Sequence, residues 1–154
     1  MTEQKIEKIV LDKLEAALSS SADSLQFVGA WQPADEDCIK ALEIGTKEGI
    51  VSVKAMPRIY DTPTIPDGQI QVQVALTMRA DSDAGGRNYL DDTETMERVI
   101  HAWQKSYDAY ASDFTISGEF SPTGFSIDSG DVGLDKENCV WQFSQAFTLY
   151  GIIE

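Results

Sequence analysis

The sequence predicts an α+β fold: a mostly antiparallel sheet packed against two main helices, with a long proline-rich loop or arm. Apolar residues recur at helical spacing near the N-terminus and again after residue 91, and they alternate strictly over residues 69–81. Strand-like segments separated by turn residues make up the last third. With 154 residues, 42% of them hydrophobic, we expect one domain over residues 1–154.

The first element is predicted to be a helix, because its apolar residues are spaced three or four positions apart. They are Ile6, Ile9, Val10, Leu14, Ala17 and Leu18. A polar run over residues 19–24 ends this helix, and the strand-like LQFVGAW follows at residues 25–31. Residues 33–45 are predicted to form a second, short helix.

A strand is predicted around Ile50, Val51 and Val53, followed by an irregular segment over residues 56–68. That segment, MPRIYDTPTIPDG, contains three prolines. Because proline lacks a backbone donor and resists both helix and central strand, we expect a long loop or an extended arm. Loops of this length inside compact domains are uncommon and often functional.

The clearest strand follows, with apolar side chains on even positions and mostly polar ones on odd positions. The even set is Ile70, Val72, Val74, Leu76, Met78 and Ala80, and the odd set includes Gln69, Gln71, Gln73, Thr77, Arg79 and Asp81. One face is therefore predicted to be buried. The glutamine-rich face is predicted to be either solvated or in contact with another subunit.

A second long helix is predicted to begin near Asp91, where Asp91 and Glu94 have capping-box spacing. Its apolar stripe is Met96, Val99, Ile100, Trp103, Tyr107 and Tyr110. His101 lies beside the stripe and is expected to be a surface or partly buried residue. No second histidine is present to join it in a metal site or a catalytic pair.

The last third is predicted to be strands joined by two turns. FTISGEF is predicted to be a strand with Phe114, Ile116 and Phe120 on one face, SPTG a turn, and residues 129–138 an acidic loop. The final strand, residues 139–154, alternates between an apolar and a polar face. Cys139, Trp141, Phe143, Phe147 and Leu149 form the apolar face, with Gln142, Ser144, Thr148 and Tyr150 opposite.

The charge balance excludes some classes of partner. The chain has 26 acidic and 12 basic residues, a net charge of −14, which disfavours binding to nucleic acid or to an anionic membrane.

Cys38 and Cys139 are too few for a disulfide scaffold and lack CxxC spacing. The N-terminal residues do not form a signal peptide, so we expect a protein that is cytosolic when made.

The stretch DSDAGGRNYLDD, residues 81–92, approaches the spacing of a calcium-binding EF-hand loop. Asp81, Asp83 and Asp92 would be ligands, with Gly86 at the turn. Against calcium, ligand position five is Gly85, position eight is Asn88, and a strand precedes the loop where an EF-hand has a helix. We therefore predict a connecting loop, without a bound metal or cofactor, that is available for contacts.

No G-x-S-x-G or H-E-x-x-H motif is present, so no catalytic residues are assigned. Two alternatives to a structural protein stay open at this point: a small acidic calcium- or ligand-binding module, and a small enzyme that uses carboxylates. With 26 acids the chain allows many carboxylate pairs, and that abundance makes the enzymatic signal unspecific.

The order of elements resembles the tail terminator and head-tail joining proteins of tailed bacteriophages. The resemblance covers residues 1–154 in element order, apart from an extra segment at residues 33–45. It is carried by a helix with Asp92, Met96, Val99 and Ile100, and by a last strand with Trp141, Phe147, Leu149 and Gly151. Terminator, adaptor and tube protein share this pattern and are not separated by it.

The resemblance implies a non-enzymatic virion protein, made in the host cytoplasm, that forms a homo-oligomeric and usually hexameric ring. Such a ring caps the tail tube protein and contacts the head-tail connector protein, with no membrane partner. DNA passes through the ring, and an acidic lumen would let it slide without binding. The contact residues we predict are Arg58, Tyr60, Arg87 and Tyr89, because Arg and Tyr are enriched at interfaces.

Overall fold

The computed structural model describes residues 2–20, 24–29, 49–56, 59–62, 65–79, 85–135 and 140–153. Three helices and six strands occur in this part of the chain, which confirms the α+β prediction. In chain order they are α1 (Thr2–Ala17), β1 (Leu25–Gly29), β2 (Gly49–Ala55), β3 (Ile59–Thr62), β4 (Ile65–Arg79), α2 (Gly85–Gln104), α3 (Tyr107–Phe114), β5 (Phe120–Asp135) and β6 (Val140–Ile153). The helix predicted over residues 33–45 lies outside the described residues.

All six strands belong to one sheet, in the order β1-β2-β4-β6-β5, with β3 paired to β4. Only the β1–β2 pairing is parallel. The β4–β6 ladder runs from Asp67 opposite Ile152 to Arg79 opposite Val140 and forms the centre of the sheet. β6 pairs along one edge of β4. β2 and β3 both pair along the other edge of β4, one after the other.

The core lies between the three helices and one face of the sheet. Ile70, Val72, Val74, Leu76 and Met78 of β4 are at most 1% exposed, as their even positions predict. They pack with the α1 stripe and with the aromatic residues of β6, and burial of each such side chain stabilises the fold by about 1.5–3 kcal/mol. The buried set also includes Ile6, Val10, Leu14, Val51, Val53, Met96, Ile100, Trp103, Phe114, Phe143, Phe147 and Leu149.

The proline-rich stretch over residues 56–68 was predicted to be a long loop or an extended arm, and its described part is extended backbone paired within the sheet. β3 lies within it, and β4 begins at Ile65. Thr62 pairs with Ile65 and Tyr60 with Gly68, with a shift of register between them. Pro66 lies within β4 but is absent from its register with β3 and with β6, whereas Pro57 and Pro63 are outside the described residues.

The second long helix begins at Gly85, six residues before the predicted start at Asp91. It also ends earlier than its apolar stripe predicts, because Ser106 interrupts it. Ser106 has extended backbone angles, φ −152° and ψ 147°, and its hydroxyl accepts a hydrogen bond from the Ala109 amide. Ser106 is thus the N-cap of α3, which carries Tyr107 and Tyr110 of the predicted stripe.

The last third is one long hairpin with a bulged edge strand. Three predictions about it were therefore wrong: the FTISGEF strand, the SPTG turn and the acidic loop that begins at residue 129. Phe114 ends α3, and Ile116 bridges to Phe120 around a turn in which Gly118 has φ 76°. SPTG and residues 129–135 are strand rather than turn and loop. Each bulge adds one residue to β5, between Pro122 and Gly124 and between Ile127 and Gly130.

Candidate subunit-contact surface

No described element packs on the face of the sheet opposite the helices. We call it the open face. It consists of every second residue of the central strands: Ile50, Ser52 and Lys54 of β2; Gln71, Gln73, Ala75, Thr77 and Arg79 of β4; and Gln142, Ser144, Ala146, Thr148, Tyr150 and Ile152 of β6. Amides, hydroxyls and small side chains dominate it, in keeping with the polar face that the sequence predicted.

The open face is electrically unlike the whole chain. Of the side chains that the structure describes there, including those of β5, Lys54 and Arg79 are basic and Asp128 and Asp131 are acidic. These charges sum to zero, whereas the chain carries −14. Balanced charge avoids the like-charge repulsion that an acidic surface would meet in a second copy of this chain. The face also exposes two large apolar side chains, Tyr150 at 39% and Ile152 at 38%.

Where β4, β6 and β5 meet, the open face contains a hollow of about 370 Å³. Thr77, Gln142, Ser144 and Asp131 are among the residues that line it. Among the described residues of this lining, Asp131 is the single carboxylate, so they do not supply the pair of carboxylates that acid–base catalysis uses. Its chemistry is that of hydrogen-bonding groups able to contact another polypeptide.

Asp128 organises the bulged part of β5 next to this hollow. Its carboxylate accepts hydrogen bonds from Thr148 Oγ1 at 2.7 Å and from Gln71 Nε2 at 3.5 Å. Its carbonyl oxygen accepts one from Gln145 Nε2 at 2.8 Å. Because these three partners lie on β4 and β6, the bulge is tied to the centre of the sheet, and the segment beyond it is held in a defined position.

Tyr89, one of the four predicted contact residues, is an internal residue of the protomer. It is 2% exposed, its ring stacks on Trp141 with centroids 5.5 Å apart, and its hydroxyl donates to the Gln142 carbonyl at 2.7 Å. Burial raises the pKa of the Tyr89 phenol, and the charges of Asp131 and Glu97 raise it further, against hydrogen bonds with Thr93 and Gly133. In this structure Tyr89 anchors the start of α2 to the β5–β6 hairpin.

The other three predicted contact residues are dispersed. Arg58 lies outside the described residues. Tyr60 is in β3, opposite Gly68, and Arg87 is in the first turn of α2. Their roles in contacts stay predictions. His101 is exposed on α2, as expected of a surface residue.

A second hollow, of about 590 Å³, lies where α1, α2 and α3 meet. It has two carboxylates, Asp108 and Asp113, but Asp113 is fully engaged. One of its oxygens accepts from Trp103 Nε1 at 2.6 Å and the other pairs with Lys13 Nζ at 3.2 Å. These contacts hold α1 and α2 to α3. Over the residues that the structure describes, no group of three or more His, Cys, Asp or Glu could hold a metal ion.

Sequence reasoning missed the exposed end of β5, where Val132 is 53% and Leu134 42% exposed. These two residues have even numbers, whereas Phe125 and Ile127 earlier in the strand have odd numbers. That slip of one position is the signature of a bulge between two halves of one strand. It could have been noticed in the sequence, but the acidic residues around it favoured a loop.

Comparison with known proteins gives a match of fold. No family model and no curated protein matches the chain. A chain in the solved structure "Virion of native gene transfer agent (GTA) particle" is similar over 90% of this chain and 84% of its own length. The TM-score is 0.50 and the sequence identity is 9%, so the likeness concerns the fold. Among the described residues, no helix is both long and apolar enough to span a membrane.

Proposed function

We propose that this protein is a non-enzymatic structural component of a phage or phage-derived virion. The observation that carries this proposal is the fold shared with a chain of a gene transfer agent virion, over most of both chains. The open face, on which the described charges balance, supports it, because a virion component must present a surface for other subunits. The two hollows support it too, since the described residues of neither include an unengaged pair of carboxylates.

The finer role we propose is a homo-oligomeric, hexameric ring in the tail, which caps the tail tube and joins it to the head connector. The net charge of −14 suits such a ring, because DNA crossing an acidic passage is not retained by phosphate contacts. Arg58, Tyr60 and Arg87 remain our candidates for contacts with neighbouring subunits or the tube. We propose that the neighbouring residues of β3 and of the start of α2 take part in the same contacts.

The test is the mass of the purified protein by light scattering over a concentration series, combined with negative-stain electron microscopy. We expect the 17.0 kDa protomer to associate with increasing concentration towards a six-membered, annular particle. A second measurement, a DNA mobility shift at physiological salt, is expected to show no stable complex. A protein that stays monomeric at every concentration and shows no annular particles would contradict the ring.

A further inference from the structure

Most lysines that the structure describes are neutralised by a neighbouring acid. Lys5 pairs with Glu119, Lys8 with Asp12, and Lys13 with Asp113. Lys54 and Lys105, in contrast, form no ion pair within the described part of the chain. Of the two, only Lys54 lies on the open face.

Lys54 marks the point where the β1–β2 side of the sheet ends. The last residue of β2 paired with β1 is Val53, opposite Gly29, so Lys54 is the first beyond that pairing. Its side chain is exposed, and Met56, two residues further along, is half-buried. This corner of the sheet therefore offers a positive charge next to an apolar side chain, without a neighbouring strand to cover it among the described residues.

The opposite edge of the sheet offers the complement. Asp131 lies on the open face near the end of β5, opposite Ser144, and its side chain is exposed. Val132 and Leu134 follow, with 53% and 42% of their surface exposed. Asp131 forms no ion pair with any described residue. Val132 and Leu134 are opposite Phe143 and Trp141 and so lie on the other face of β5, which leaves Asp131 as an exposed negative charge on the open face of the edge strand.

Lys54 cannot satisfy Asp131 within one chain. β2 and β5 are separated by β4 and β6, so the two strands are three spacings, about 14 Å, apart. A second copy of the chain can bring the two corners together, and in the ring proposed above it does so head to tail. Head-to-tail contacts are those that close into rings. Two copies that each carry −14 also need a local attraction at short range, where salt screens least.

We propose that Lys54 of one copy binds Asp131 of the next. This contact rests on the self-assembly proposed above and names the two surfaces that meet in it. It joins the β2 side of one sheet to the β5 edge of the neighbouring sheet. The open faces of successive copies then lie side by side.

Charge reversal tests the contact. Lys54→Glu and Asp131→Lys are each expected to raise the concentration for half-assembly at least tenfold, because each places like charges together. The double variant with both changes restores the wild-type net charge and the opposite-charge pair, and is expected to assemble within about threefold of wild type. Circular dichroism and melting temperature verify that each variant is folded.

The matched controls are Lys105→Glu and Glu15→Lys, which make the same changes of net charge at exposed sites on the helical layer. They are expected to shift assembly less than threefold. If the single variants behave like these controls, or if the double variant is no better than the singles, the contact is wrong although the ring stands. If the wild-type protein does not assemble, the contact and the ring are both overturned.

Cysteine trapping tests the head-to-tail geometry. In a background carrying Cys38→Ser and Cys139→Ser, Lys54→Cys and Asp131→Cys are combined in one chain and oxidised. A head-to-tail contact yields a ladder of disulfide-linked multimers, whereas a mixture of the two single variants yields dimers only. A combined variant that stops at the dimer, or does not crosslink, overturns the proposal.

Discussion

A single buried carboxylate closes the outer edge of β2 where β1 ends. Glu7 of α1 is 3% exposed, and its Oε2 accepts a hydrogen bond from the Ala55 amide at 3.0 Å. Gly29, the last residue of β1, leaves room for it, because a Cβ there would lie 2.5 Å from Glu7 Oε1. A side chain of the helix thus replaces the strand partner that β2 loses at this point.

We predict that Glu7→Ala lowers the free energy of unfolding by about 1–3 kcal/mol, because it leaves the buried Ala55 amide without its acceptor. Glu7→Gln keeps an acceptor oxygen and is expected to cost less. Urea denaturation measures both, with the exposed Glu15→Ala as the control, expected within about 0.5 kcal/mol of wild type. Equal stabilities of Glu7→Ala and Glu15→Ala would show that this carboxylate does not support the sheet edge.

Tyr89 is predicted to make stability depend on alkaline pH. The folded state raises the pKa of the Tyr89 phenol. The contribution of Tyr89 to the free energy of unfolding is therefore complete below the ordinary tyrosine pKa of about 10, and it is lost as the pH rises through the pKa of the folded state. Tyr89→Phe keeps the ring on Trp141 but loses the hydrogen bond to Gln142, at a cost of about 1 kcal/mol near pH 7.

The measurement is the melting temperature of wild type and Tyr89→Phe from pH 8 to pH 11. The difference between them is expected to shrink above about pH 10, since only the wild type has a phenol to ionise at this site. A difference that stays constant over that range would contradict the raised pKa.

At the scale of elements, β5 and β6 come unusually close beside the first bulge. A Cβ at Gly151 would lie 2.5 Å from the Ser121 carbonyl oxygen and 2.7 Å from the Phe120 ring. The backbone oxygen cannot move aside without shifting the strand. Gly133, further along the same hairpin, has nothing within 4 Å of such a Cβ.

We therefore predict that Gly151→Ala destabilises the protein by about 1–3 kcal/mol through this overlap. Gly133→Ala is the control, and is expected to be neutral or to stabilise by up to about 1 kcal/mol, because alanine loses less backbone entropy on folding. Chemical denaturation compares the two. If both substitutions had the same effect, the close approach at Gly151 would not govern the pairing of β5 with β6.

At the scale of the whole molecule, the net negative charge governs how the protein interacts with ions. The stretch that approaches an EF-hand is not such a loop, because residues 85–92, its last eight positions, form the first two turns of α2. A helix cannot wrap these positions around an ion as the EF-hand loop does. Divalent cations are then expected to act on the protein only as diffuse counter-ions to its net charge of −14.

We predict that calcium and magnesium change the melting temperature equally when compared at the same concentration. A specific site would instead stabilise the folded state in proportion to its occupancy, and would favour calcium over magnesium. Differential scanning fluorimetry with each ion from micromolar to millimolar concentrations makes the comparison. A rise of several degrees with calcium alone would restore the calcium-binding alternative and weaken the structural role.

Local patterns in the sequence determined much of the fold. The stripe of α1, the alternation of β4 and the two faces of β6 follow from the periods of helix and strand. Each pattern also indicates which face is buried, so the core could be predicted residue by residue, Met78 and Phe147 included. The polar character of the open face was predicted in the same way, because it is the other half of the same alternation.

Only the tertiary structure decided where α2 begins, how β5 is bulged and which surfaces remain uncovered. α2 starts at Gly85 despite two glycines, because Tyr89 reaches Gln142, a residue 53 positions away, and anchors that end. The bulges of β5 are set by its register with β6. The order of the strands places Lys54 and Asp131 on opposite sides of the sheet. These features depend on contacts between residues distant in sequence, which local periodicity does not encode.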